Sequence, residues 1–454
     1  MDVIVIETPQ LGDRSYLVHD GTVALVIDPQ RDTDRVEAAA REAGVTITHV
    51  AETHLHNDYL TGGFALAQAH GASYLVNAAD PVKFERQPIG DGQSVRIGSF
   101  TVRAVATPGH THTHLSFIVD DGVKQAVFSG GSLLYGSVGR TDLVSAADTI
   151  GLTHEQYASA RRLAGEAAPD AALFPTHGFG SFCSSGPASG AGSSTIGEQL
   201  TVNHALTDPD EDHFVRELIA NLTAYPSYYA HMAVANARGP GPAQLTVPES
   251  LDAVELTRRL NDGEWVVDLR RRIAFASSHL QGSVSFEYRD SFSTYLGWVM
   301  PWGEPLTLVG SREDVENAIR DLSRIGIDSP DAAVGADPGT LAPRAAVVSY
   351  PRVGWDRVPT ESAGDDIVLD VRRADEYASS RIAGAVNIPL HELLMRLEEV
   401  PAGKLWVHCA SGYRAGIAAS LLHRAGRDVV LIDARFGDAA AAGIPVHTSG
   451  NSPV

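Results

Sequence analysis

Sliding the chain against itself by 102 residues (368 against 266) lays VVDLRRRIAFASSHLQGSVSF at 266–286 over VLDVRRADEYASSRIAGAVNI at 368–388 without a gap. Asp268 falls on Asp370, Arg270 and Arg271 on Arg372 and Arg373, Ser277 and Ser278 on Ser379 and Ser380, and Gly282 on Gly384. Agreement of this kind at one fixed offset marks a duplication, so the C-terminal half must fold as two like α/β domains. After a small gap, the apolar run before Cys409 matches the run before Gly310, and only the second copy keeps a thiol. The copies are expected at 249–345 and 346–454. The Pro/Gly-rich stretch NARGPGPAQLTVP at 236–248 reads as a linker, which leaves 1–235 as a third domain. Three domains is also what 454 residues suggest.

With 44% hydrophobic and 20% charged residues the chain can bury several cores. Its 35 Lys and Arg stand against 56 Asp and Glu, a net charge of -21 that argues against a nucleic-acid partner. No run approaches the roughly 20 apolar residues of a membrane helix, and MDVIVIETPQ lacks the basic and apolar segments of a secretory leader. A cytoplasmic protein without a membrane partner is expected. Two cysteines, Cys183 and Cys409, cannot build a disulfide framework, and a reducing compartment leaves both thiols free for chemistry.

Thirteen of the 18 histidines lie between His19 and His231. Short apolar runs at 3–6, 16–18 and 24–28 predict strands, 32–44 predicts a helix that stops at Gly44, and the β-branched run from 45 ends in Thr53-His54-Leu55-His56-Asn57-Asp58-Tyr59. This order implies an α/β layered fold. Two imidazoles and a carboxylate on one loop can approach a metal ion together. TPGH delivers His110 and FPTH delivers His177 from two further strand ends. His112 and His114 are additional candidates, although strand alternation also explains them. After His177 the Gly/Ser-rich stretch SFCSSGPASGAGSSTIG reads as a mobile flap. Cys183 would there reach the metal pocket as a thiol relay, or be a loop cysteine without a role.

Cys409-Ala410-Ser411-Gly412-Tyr413-Arg414 follows the strand LWVH and opens a helix that stops at Gly426. Loop amides, the helix dipole and Arg414 would favour a thiolate, whereas a cysteine after a strand is otherwise a buried, inert one. The loop, with DVRRADEY and RIAGAVNIP, resembles a rhodanese (sulfurtransferase) domain over roughly 346–454. The resemblance implies that Cys409 carries a sulfane sulfur as a persulfide, cradled by the amides of Ala410, Ser411, Gly412, Tyr413 and Arg414. The copy at 249–345 is then a degenerate domain serving as spacer or docking surface. Arg381 stands where many members have His.

The histidine pattern resembles the metallo-β-lactamase superfamily signature, His-x-His-x-Asp-His, then Gly-His, Asp and His. Together with VGRTDL at 138–143 and the C-terminal copies, the whole chain resembles a persulfide dioxygenase-rhodanese fusion. The resemblance implies an αββα sandwich followed by two rhodanese-like α/β domains. It also implies one Fe(II) per chain, held by two His and one Asp, that oxidises a low-molecular-weight thiol persulfide to sulfite with O₂, while Cys409 exchanges sulfur with thiosulfate or a thiol. Two departures stand out. Tyr59 replaces a ligand for a second metal, and the expected aspartate ligand is Gly131 in SGGSL. His54 and His110 then remain, with His56 as the expected third metal ligand and Asp58, His177 or His112 as replacements or outer supports. Such a site also suits zinc and a thioester or ester hydrolase. A third reading is a catalytically silent N-terminal domain beside a working sulfurtransferase. Self-association into a homo-oligomer is expected.

Overall fold

The computed structural model describes residues 1–186, 190–358 and 366–449, and these form two compact units. The first comprises Met1–Gln244 with Arg320–Gly326, and the second Leu245–Ile319 with Ile327–Val454.

The first unit is built on two six-stranded sheets. One runs in chain order through β1 (Asp2–Thr8), β2 (Asp13–His19), β3 (Val23–Ile27), β4 (Thr46–Ala51), β5 (Ser73–Asn77) and β6 (Gln87–Ile89). The other has the order β12 (Ser194–Thr195), β11 (Ala172–Pro175), β10 (Gln125–Gly130), β9 (Leu115–Asp120), β8 (Phe100–Ala106) and β7 (Ser94–Ile97). Alternation divides each sheet between two cores. Tyr16, Val18, Leu25 and Ile27 pack against Phe117, Val119 and Phe128 between the sheets. Leu17, Ala24 and Val26 meet Val36 and Leu66 of the helices Asp34–Ala43 and Gly63–His70 on one outer face. Val105, Ile118 and Val127 meet Tyr157, Leu163 and Phe214 of the helices Thr149–Glu166 and Glu211–Ala220 on the other. The result is the expected αββα sandwich.

Strand direction concentrates the chemistry. β3 and β4 are parallel, β2 runs against β3, β10 and β11 are parallel, and β8 and β10 are both antiparallel to β9. The C-terminal ends of β3, β4, β8, β10 and β11 and the start of β2 therefore deliver Asp28, His54, His110, Gly131, His177 and Asp13 to one end of the sandwich.

The boundary expected at 235 cuts an element that belongs to this unit. The helix Tyr229–Asn236 ends in a buried asparagine whose Nδ2 donates to the carbonyls of His56 and Tyr59, each at 2.9 Å, and whose Oδ1 accepts from the Thr61 amide. These bonds clamp the His54–Thr61 loop, and the unit runs on to Gln244. Of the expected flap, residues 181–186 are buried or half-buried, while 190–193 are exposed. Cys183 is fully buried and its carbonyl accepts from the Arg140 amide at 2.9 Å. Residues 187–189 of that stretch lie outside the described residues.

The second unit realises the duplication strand by strand. Val284–Ser285, Trp265–Asp268, Leu306–Gly310 and Asp331–Val334 form one parallel sheet in that order, with Ser250 bridging Ala332. Val386–Asn387, Ile367–Asp370, Leu405–His408, Val429–Ile432 and Arg352–Val353 form the other, also parallel and in the same order. The repeated polar pair folds identically in each. Arg270 bonds Asp268 at 2.6 Å and the Ser278 carbonyl at 2.8 Å, and Arg372 bonds Asp370 at 2.6 Å and the Ser380 carbonyl at 2.7 Å. The copies differ at the end of the third strand. In the first, Ser311 follows Gly310 at once and its side chain accepts from the Asp314 amide, capping the helix Arg312–Arg324. In the second, Cys409–Gly412 intervene before the helix Tyr413–Arg424.

Candidate metal centre and candidate thiol site

His54, His110 and His177 converge at the open strand ends of the first unit. All three are fully buried, with ring centroids 4.8, 5.4 and 5.3 Å apart in the three pairs. Each ring is fixed through Nδ1. His54 Nδ1 lies 2.9 Å from Thr53 Oγ1, and that hydroxyl gives its own proton to Asp28, so the imidazole must donate. His110 Nδ1 donates to the Arg140 carbonyl at 2.7 Å. His177 Nδ1 donates to Asp13 at 2.9 Å, with Asp58 3.3 Å away. With Nδ1 protonated throughout, the Nε2 positions are left to face one another. His54 and His177 approach at 3.4 Å between Nε2 atoms, and His110 Nε2 is buried without a hydrogen-bond partner. Three converging imidazole nitrogens, each backed by an outer hydrogen bond, fit a transition-metal ion.

His56, expected as third ligand, has its ring centre 4.1 Å from that of His54 in a tilted arrangement, but its Nε2 faces Asp28 at 3.4 Å, Glu52 at 3.3 Å and the Tyr59 hydroxyl at 3.0 Å. Burial opposes a charge on this ring, yet the two carboxylates outweigh it and raise His56 to about 9. His177 Nε2 instead stands beside His54 Nε2, and His54, His110 and His177 form the group of closely spaced imidazole donors. His56, Asp58 and His177 form a second group of closely spaced donors that shares His177 with the first. His112 is turned out, half exposed and 3.8 Å from Asp148. His114 spends both nitrogens on the protein, accepting from the Gly131 amide at 2.9 Å and meeting Thr107 at 2.9 Å. Cys183 lies at the pocket wall, but burial and the carboxylates of Asp58 and Asp13 push its thiol well above the usual range. The relay proposed for it would therefore start from a protonated thiol.

Sequence reasoning missed the residues that orient these rings. Asp28 follows β3 with φ 50°, a strained conformation for a non-glycine residue, and collects Thr53 and Thr176 besides facing His56. Asp13 and Arg140 support His177 and His110. Their only sequence signal is position at a strand end, where β2 starts and where VGRTDL follows β10.

Burial lowers His110 to about 3 and His54 well below its usual value, so both are neutral. Burial also opposes a charge on His177, but Asp58 and Asp13 outweigh it and raise this ring to about 10. Its Nε2 proton then lies toward His54, where a metal ion would take its place. Because that proton must leave, metal affinity is expected to rise with pH, by up to about tenfold per unit between the ordinary histidine value and about 10. Competition titrations with a chelator across this window would test the slope, and a flat profile would contradict it.

Gly131 explains how the centre lacks a carboxylate ligand. A Cβ there would lie 2.3 Å from His110 Cδ2 and 2.6 Å from Cγ, so His110 occupies the space that a side chain at 131 would need. Gly131→Asp is accordingly expected to displace His110, destabilise the unit by about 1–3 kcal/mol and reduce metal content. Thermal unfolding and metal analysis of the variant would show this. An undiminished melting temperature with full metal loading would contradict it.

In the second unit, Cys409 is buried and its Sγ accepts from the Gly412 amide at 3.2 Å. Gly412 has φ 90°, and a Cβ there would stand 2.1 Å from Asp433 Oδ1, so glycine is required at this position. Arg414 makes a two-pronged ion pair with Glu376 at 2.5 and 2.8 Å. Ser411 is exposed and Ala410 half-buried, while Tyr413 turns away to bond the Glu287 carbonyl at 3.3 Å. Tyr295, from the copy without a thiol, packs against Tyr413 at 5.7 Å. That copy's shortened turn at Gly310 offers no comparable loop.

Residues 11–177 match the metallo-beta-lactamase superfamily and residues 358–436 the rhodanese-like domain. The chain is 32% identical over 131 residues to an atrochrysone carboxyl ACP thioesterase of Emericella nidulans, covering 27% of this chain and 41% of that protein. It therefore spans less than half the length of that relative. It is 29% identical over 214 residues to the mitochondrial persulfide dioxygenase of Homo sapiens, covering 47% of this chain and 75% of that protein. A crystal structure of a metallo-beta-lactamase from Staphylococcus aureus subsp. aureus COL superposes with TM-score 0.66 at 25% identity, covering 74% of this chain and 99% of that one. Among the described residues, no helix is long and apolar enough to cross a membrane.

Proposed function

We propose that this chain, which joins a metallo-beta-lactamase superfamily domain to a rhodanese-like domain, is a sulfane-sulfur enzyme. Its N-terminal centre would oxidise a low-molecular-weight thiol persulfide, and Cys409 would carry sulfane sulfur. The observation that carries this reading is the Cys409 thiol under the Gly412 amide, on the same chain as the three-imidazole centre. Joining the two sites raises the effective concentration of a shared sulfur intermediate.

The balanced overall reaction at the first site is RSSH + O₂ + H₂O → RSH + H₂SO₃. Bound Fe(II) would supply one-electron chemistry and open positions for persulfide and O₂. The protein's part is positional: Thr53, Arg140 and Asp13 hold the three rings by Nδ1, and Asp58 and Asp13 stabilise positive charge at the pocket. At the second site, Cys409 thiolate attacks the outer sulfur of thiosulfate and the S–S bond breaks. Sulfite leaves and the enzyme persulfide remains, to be passed to a thiol acceptor. The Gly412 amide and the Arg414 guanidinium would stabilise the negative sulfur.

Protein loaded anaerobically with Fe(II) and mixed with glutathione persulfide should consume O₂ and release sulfite. Full iron loading without O₂ uptake would overturn the oxygenase assignment. A second reading is favoured by the three-imidazole donor set and the thioesterase relatives: a zinc-dependent thioester hydrolase. Zinc-loaded protein cleaving S-lactoylglutathione, with no O₂ uptake by the iron form, would select it.

A further inference from the structure

The second unit contains a cleft of about 820 Å³ that neither proposed reaction uses, walled by both copies of the duplicated fold. That volume lies toward the upper end of small-molecule sites. In a chain of net charge -21, three guanidiniums line this cleft, Arg344, Arg424 and Arg427, against one carboxylate, Asp428. None of the three has an ion-pair partner among the described residues.

Arg424 is the informative one. It ends the helix Tyr413–Arg424, its guanidinium lies 4.8 Å from the Trp265 ring centre, and its Nη1 is buried without a hydrogen-bond partner. Burial alone depresses its pKa, with no carboxylate opposing the shift. Arg424 is half-buried, a cation partly withdrawn from water is costly unless an anion accompanies it, and a guanidinium's planar fork matches phosphate oxygens. The floor beside it is neutral and aromatic. His279 Nδ1 donates to the Phe275 carbonyl at 2.8 Å, which leaves its Nε2 to accept from His423 Nδ1 at 3.2 Å. Both rings lie about 5.3 Å from Tyr350, at 5.4 and 5.3 Å, and the Tyr350 hydroxyl is buried without a partner. Leu260, Val348 and Pro351 add apolar wall.

We propose that this cleft binds a phosphorylated organic metabolite of nucleotide size, with its phosphates on Arg344 and Arg424 and its organic part against the His423–Tyr350 floor. The proposal does not depend on the chemistry at either candidate site. ATP serves as the probe, with pyrophosphate and adenosine as controls, in calorimetric titrations of the full chain at physiological salt. ATP should bind saturably at about one per chain, more tightly than either control. Arg344→Gln and Arg424→Gln should each weaken it by roughly tenfold. Arg344 is exposed, so its variant should keep the native melting temperature and separate lost binding from lost folding. Three results would overturn the proposal: no binding of ATP, binding unchanged in both variants, or either control binding as tightly as ATP.

Discussion

His177→Ala is expected to cost the first unit about 3–5 kcal/mol and to abolish stoichiometric metal binding. The stability loss comes from Asp13 and Asp58. Both are fully buried and face the His177 ring at 2.9 and 3.3 Å, and the alanine variant leaves two carboxylates together without their cation. Burial and the neighbouring Asp58 already push Asp13 up to about 8, whereas His177 holds Asp58 well below the usual carboxylate range, and removing the imidazolium would raise both. The metal loss follows because one of three Nε2 donors disappears while His56 remains held by Asp28 and Glu52. Denaturant unfolding and metal analysis would measure the two effects separately. His112→Ala, at a half-exposed ring outside the pocket, should change neither. A His177→Ala protein that retained one tightly bound metal per chain would refute the three-imidazole assignment.

Cys409→Ser is expected to reduce thiosulfate-to-cyanide sulfur transfer by at least about a thousandfold, since the thiol that would carry the sulfur is replaced by an alcohol that cannot form the persulfide. The fold should survive, because a serine hydroxyl can still accept from the Gly412 amide. Intact-mass measurement after thiosulfate treatment should show one added sulfur on the native protein and none on the variant. O₂ uptake by the iron-loaded variant should stay near the native rate. Transfer that persisted in Cys409→Ser would remove Cys409 from the reaction.

Much of this protein could be read before its fold was known, wherever the signal was contiguous. The duplication at 266–286 and 368–388 announced two sheets of one strand order, down to the paired Asp268–Arg270 and Asp370–Arg372 contacts. The Cys409 loop carries its own conformation, because Gly412, the preceding strand and the following helix are adjacent in the chain. His54, His110 and His177 were visible as residues that strands deliver to their ends.

The choice among those histidines was decided only by tertiary structure. His56 is two residues from His54, yet Asp28 from β3 and Glu52 from the end of β4 draw its Nε2 away, while Asp13 and Asp58 fix His177 in its place. Gly131 read as the loss of a ligand, but the structure shows that His110 fills the space against it. Asn236, one residue past the boundary expected at 235, satisfies carbonyls of the histidine loop some 180 residues away in the chain. Local sequence determines which side chains reach a strand end. Which of them turn toward a common centre depends on buried charges brought from distant elements, whose competition in a low dielectric no local pattern encodes.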